Sequence, residues 1–214
     1  MEKLDYAKYK INKLSNEVKS ENAPNNKFIK NEINDILGNI RAPLDYFAKH
    51  IAKNVGAKAK TPAFPIATGE VDFKNRYGKG INIDDANLRN HFRSVQKYNG
   101  SNWLNELNKM NNNEKHQEVN KTVINTVEKV GHFQHKGVTL NNVSFENVGT
   151  PMVEKIDGVT REIDITSAAG YKKEVLYRFK YNDREVFESL KEYHTNAVNF
   201  LEEGKRIIDK IESD

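Results

Sequence analysis

Ile29, Ile33, Ile36, Ile40, Leu44, Phe47, Ile51 and Val55 follow one another along this chain at steps of three or four. No strand can use that spacing, because strand side chains alternate with a period of two. The run predicts one long helix that buries a continuous stripe, and such a stripe has to be covered by other elements. The segment from Glu2 to about Lys19 offers the first cover, with Leu4, Ile11, Leu14 and Val18 on one face. Between the two, SENAPNN (20–26) supplies a proline and turn formers.

Pro43 falls inside the long helix. It cannot donate to the carbonyl of Asn39 and its ring crowds that carbonyl, so a kink is expected nearby. Residues 56–70 break the periodicity and predict a connection crossing the surface. A shorter helix follows within 83–99, capped by Asp84 or Asp85, with Leu88, Phe92 and Val95 turned inward. Ser101 is placed to cap a further helix whose apolar face carries Trp103, Leu107 and Met110, with the pattern continuing weakly to about Val130. The asparagines at 111–113 are poor helix formers, which predicts a distortion or a functional reason for them.

From Gly131 the period changes to alternation. Residues 137–148 hold strand-like runs around a turn, and Asp157-Gly158 between two β-rich arms signals a hairpin. Residues 173–182 predict another strand. A last helix starts near Asp183, opened by a capping box of Asn182 and Glu185, with Val186, Leu190, Ala197, Leu201, Ile208 and Ile211 on its buried side. The expected fold is α+β, mainly α, in a single domain. A helical bundle spans 1–130, a small antiparallel sheet 131–181 is inserted before the C-terminal helix, and that helix (182–214) packs back on the bundle.

Composition limits the chemistry. There is no cysteine among the 214 residues, which excludes disulfides and thiolate metal sites. The net charge of +4 is spread among interspersed acids and bases, which is compatible with a nucleic-acid partner without requiring one. No apolar run approaches the roughly 20 residues that span a bilayer, and the charged start has no apolar segment of a signal peptide. A soluble cytoplasmic protein without a membrane partner is expected. Phosphate-cradling glycine loops, a G-x-S-x-G elbow and a dinucleotide fingerprint are all missing, which disfavours nucleotide hydrolases, serine hydrolases and Rossmann enzymes. His132 and His135 stand three apart in an expected strand and so on opposite faces, with no acidic pair at ligand spacing. No metal site and no cofactor are predicted.

On the long helix Arg41 and Asp45 are four residues apart and face the same way. Arg41 lies about 40° around the helix from Leu37 and borders the apolar stripe, so it needs a partner, and Asp45 is nearest. On the helix after Ser101, Asn112 and His116 are likewise four apart, with Glu114 and Lys115 between them. Antiparallel packing of the two helices would let Arg41, Asp45, Asn112 and His116 converge. The plain alternative is an ion pair fixing helix register, an interhelical histidine and a solvated lysine.

IRAPLDYFAKHI (40–51), then Phe64-Pro65-Ile66, then WLNELNKMNNNEKHQEV (103–119) together resemble a group of uncharacterised bacterial proteins with HEPN-like helical bundles. Their first helix carries Leu-Arg-(Ser/Asn)-Ala-Leu-Asp-His and a later one Leu-x-x-Leu-x-Asn-x-Asp-Lys-His. The wider superfamily includes metal-independent endoribonucleases of phage-defence and toxin–antitoxin systems. The resemblance implies Arg41 and His116 as catalytic residues, and Asp45, Tyr46, Asn112 and Lys115 as contacts to RNA or a nucleotide. It also implies a homodimer through the long helices. In such a ribonuclease a ribose 2′-OH attacks the adjacent phosphodiester; His116 would move the proton while Arg41 and Lys115 hold the phosphate. Two departures stand against activity. Ala42 follows the arginine where a polar residue is usual, and Tyr46 stands at the histidine position. A tyrosine phenol ordinarily titrates near about 10 and is a poor base at neutral pH. His50, nine residues after Arg41, lies about 180° around a straight helix and is no obvious substitute. The alternative function is a non-catalytic interaction protein, with a protein partner, that kept the fold and lost the site.

Overall fold

The computed structural model describes residues 2–19, 24–54, 62–115, 122–135, 137–146, 153–156 and 159–213. Among them α1 (Glu2–Glu17), α2 (Asn26–Asn54), α3 (Glu70–Gly80), α4 (Ala86–Ser94), α5 (Trp103–Lys115) and α6 (Val186–Ile211) form the helical part. The strands β1 (Thr122–His135), β2 (Val138–Glu146), β3 (Val153–Ile156), β4 (Val159–Glu162) and β5 (Lys172–Phe179) are inserted before α6. The chain is α+β and mainly α, as its spacing predicts.

The apolar stripe of α2 is buried from Ile29 to Ile51 except at Phe47, which is half-buried; Val55 lies outside the described residues. Leu4, Ile11, Leu14 and Val18 cover one side of it, and α6 packs on both α1 and α2. Charge pins the α1–α2 pair: Lys10 Nζ reaches Asp35 at 2.7 Å and Glu32 at 3.0 Å. Helix α2 runs on through Pro43, whose ring is buried.

Five expectations need correction. The connection over 56–70 does not simply cross the surface: Phe64 and Ala67 are buried, and Phe64 lies 5.1 Å from Phe92 and 5.2 Å from Phe200 between ring centroids. Gln96, fully buried, fixes this segment. Its Nε2 donates to Pro65 O and Phe92 O, both at 2.9 Å, and its Oε1 accepts from Ala67 N at 2.8 Å. The part over 55–61 lies outside the described residues. Residues 70–80 carry few apolar positions, yet Phe73 and Tyr77, one turn apart, suffice to seat α3 on the core.

The helical pattern does not persist to Val130. Helix α5 ends at Lys115 and β1 begins at Thr122, nine residues before Gly131. The β-branched residues Ile124, Thr126, Val127 and Val130 favour the pleated strand over a weak helical spacing. The two strand-like runs around a turn are one strand, β2, in which Asn142 adopts a φ of 50° that asparagine tolerates well. Helix α6 starts later than Asp183. That residue takes a φ of 56°, so Glu185 is the cap and its carboxylate accepts from Glu188 N at 2.5 Å. Asn182 instead accepts from Arg184 N. At α5, Asn102 rather than Ser101 precedes the first helical residue, its carbonyl accepting from Glu106 N at 3.0 Å.

The main sheet has the order β2-β1-β5, all antiparallel. Strand β1 is long enough to serve two partners: Thr122 to Lys129 pair with β5, and Val127 to His135 with β2. The expected hairpin forms between β3 and β4, with Ile156 opposite Val159; its Asp157-Gly158 turn lies outside the described residues. Tyr177 and Phe179 of β5 enter the main core, Tyr177 meeting Phe187 of α6 edge-on at 6.1 Å.

Candidate functional site on the long helix

The residues singled out on α2 do not share one face. Arg41 and Asp45 differ by about 40° around the helix, whereas Tyr46 stands about 140° from Arg41. The structure follows that geometry. Arg41 is 7% exposed, and its Nη2 meets Asp45 Oδ1 at 2.9 Å. Its guanidinium lies over the Phe64 ring, 5.4 Å from the centroid, in a cation–π contact. Burial pushes the Arg41 pKa down, and the charge and hydrogen bond of Asp45 oppose that shift. Nη1 has no hydrogen-bond partner among the described residues.

Tyr46, at the histidine position of the motif, is 55% exposed. With Pro43, Phe47 and His50 it lines one wall of a groove of about 830 Å³ whose other wall is the C-terminal half of α6, including Leu201 and Ile208. Close approach of the walls depends on Gly204. A Cβ there would stand 2.5 Å from Phe47 Cζ and 3.0 Å from His91 Nε2. The motif on α2 is therefore divided between an internal ion pair and an open groove.

Helix α5 brings a different asparagine to α2 than its spacing suggests. Asn111 is buried, and its Oδ1 would stand 3.9 Å from a Cβ at Gly38, one turn before Arg41. Asn112 is exposed. The side chain of Lys115 and all of His116 lie outside the described residues. Of the six expected site residues, the structure thus joins Arg41 to Asp45 and turns Tyr46 and Asn112 to solvent. The asparagines at 111–113 cause no break, since α5 continues through them.

A polar cluster absent from the sequence expectations ties α5 to α6. Glu106 accepts from Arg184 at 2.9 Å and from the Tyr193 hydroxyl at 2.8 Å, and Arg184 also pairs with Glu192. Burial, then the bond to Glu106, raise the Tyr193 pKa well above its ordinary value. Each group is matched by another, so the cluster reads as a joint between helices. No local motif announces it, because its members are up to 87 residues apart.

His132 is exposed on β1, with Nδ1 2.6 Å from Asn141 Oδ1, while His135 stacks with Phe133. Among the described residues no group of three or more His, Asp or Glu is placed to hold a metal ion. Among them, too, no helix is long and apolar enough to cross a membrane. Comparison with protein-family models, curated proteins and solved structures finds no match for this chain.

Proposed function

We propose that this chain is a non-catalytic interaction protein with a HEPN-like helical fold that lacks the chemistry of the ribonuclease members. One observation carries this reading: Arg41 is buried, paired with Asp45 and stacked on Phe64. A phosphate-holding arginine has to present its donors to an incoming anion, and here one edge of the fork is already committed to a carboxylate. Tyr46 supports it further, since the group at the histidine position faces a groove on another side of α2. An acid–base pair acting on one phosphodiester needs both groups within hydrogen-bond reach of the reacting atoms.

A second reading is a HEPN-like protein that binds RNA or a nucleotide, with metal-independent endoribonuclease activity of the defence or toxin–antitoxin kind. It is favoured by the buried Arg41 Nη1, a donor without a partner among the described residues. Titration of a fluorescent RNA pool and of a labelled nucleotide with purified protein separates the two readings. The interaction protein gives no saturable binding that depends on Arg41. Saturable binding abolished by Arg41→Met, in a variant that still folds, establishes the second reading.

A further inference from the structure

Lys10 pairs with Glu32 and Asp35, and the first turn of α1 reaches the neighbourhood of Pro43, so α1 lies antiparallel to α2. His194 Nε2 donates to Leu4 O at 3.0 Å, and Glu2 and Lys3 share the groove with residues near the end of α6, so α1 is antiparallel to α6 as well. The groove of about 830 Å³ lies between α2 and α6, with Glu2 and Lys3 of α1 at its edge.

The groove has the shape and lining of a helix seat. Its α6 wall extends from Leu201 to Glu212, about three turns or 16 Å. Pro43, Phe47, Leu201 and Ile208 give it an apolar floor, with the exposed Tyr46 ring beside them. Its rim is acidic on a chain whose net charge is +4: Glu2, Glu202, Asp209 and Glu212 against Lys3 and Lys205. None of these four carboxylates forms an ion pair with a described residue, although Glu203 beside them is held by Arg206. Unpaired like charges around an apolar floor repel one another and select a cationic partner. At this exposure they set choice of partner and rate of encounter, while the apolar floor supplies affinity.

We propose that the groove between α2 and α6 is the docking site for a basic amphipathic helix of a partner protein. The proposal rests on the interaction reading above and gives it a partner. The docked helix lies along the groove. It lays residues spaced i, i+3 or i+4, and i+7 on Phe47, Leu201 and Ile208, and offers lysines or arginines to the four carboxylates.

The test uses the full chain and a displayed library of 14-residue helical peptides. Leucines are fixed along one face and the flanking positions are randomised among Glu, Lys, Gln and Ala. Selected peptides should be enriched in Lys beside the leucine stripe. As synthetic peptides they should bind at least tenfold more weakly to the variant E202K/D209K/E212K, which alters only exposed side chains. That variant should in turn select Glu-rich peptides. Selection indifferent to charge, binding unchanged in the triple variant, or no enrichment over the starting library overturns the proposal. Concentration-dependent self-association in sedimentation that Leu201→Asp abolishes also overturns it, because the occupant is then a second copy of this chain. None of these results touches the RNA titration, so failure of the groove and failure of the interaction reading are distinguished.

Discussion

Replacing Asp45 should cost more stability than replacing the arginine it neutralises. In Asp45→Asn the buried Arg41 guanidinium keeps its charge and loses its counter-ion. Breaking a fully buried pair from one side costs about 3–5 kcal/mol. The Asp45 side chain is 38% exposed, so water screens part of that interaction, and about 1–3 kcal/mol is expected here. For a chain of this size that corresponds to a fall in melting temperature of about 3–10 °C. Arg41→Met removes the charge and keeps an unbranched side chain over Phe64; exchange of a buried ionic group for an apolar one of similar volume is often neutral, so a loss below about 1 kcal/mol is expected. In the double variant the Asp45→Asn penalty should largely vanish, leaving a coupling of about 1–2 kcal/mol. Urea unfolding followed by circular dichroism at pH 7 gives all the values if the slope with denaturant is unchanged. Equal, negligible losses in both single variants would refute the internal role given to Arg41.

Three further outcomes follow from the packing. Gln96→Ala removes three hydrogen bonds and strands Ala67 N and Pro65 O in the core, so it should lower stability by about 2–4 kcal/mol, measured by urea unfolding; a loss under about 0.5 kcal/mol would contradict the account of residues 62–67. Gly204→Ala gains about 1 kcal/mol of helix propensity but drives a methyl into Phe47 at an overpacking cost of about 1–3 kcal/mol, so its melting temperature should fall, and a rise would show that the ring yields freely. Burial holds the His91 pKa below its usual range, against the opposing effects of the Phe200 carbonyl and Glu203. The unfolded chain then takes up the proton first on acidification, so the stability from neutral His91 is complete above about pH 6.5 and declines as pH falls below it. His194, shifted the same way by burial, adds to the decline. Melting at pH 7.5 and 5.5 should show a smaller drop in His91→Gln than in the wild type; an identical drop would contradict this assignment.

The helices that carry the core were legible because each repeats apolar residues often enough for a period of 3.6 to stand out, as in α2 and α6. The Arg41–Asp45 pair was legible for the same reason, being set by position on a single helix. Phe64 and Gln96 were not. Their burial arises from contacts between separate elements, and a short irregular segment has no period to betray its inward side. The start of β1 was hidden by chance spacing that imitated a helix, and sheet pairing with β2 and β5 decides the matter there. Motif spacing points to Asn112 and not to the buried Asn111, because a one-residue change turns a helical side chain by about 100°, finer than such spacing resolves. The groove depends on how α2 and α6 sit against each other, which no local pattern encodes.

The reading proposed above is that of a non-catalytic interaction protein with a HEPN-like fold. It is tested most directly by incubating a mixed RNA substrate with an excess of purified protein in chelator, beside Arg41→Met and His116→Ala. The account predicts that the RNA stays intact with all three proteins. Cleavage by the wild type that both substitutions abolish, each variant being folded, would contradict it and place a metal-independent ribonuclease site at Arg41 and His116.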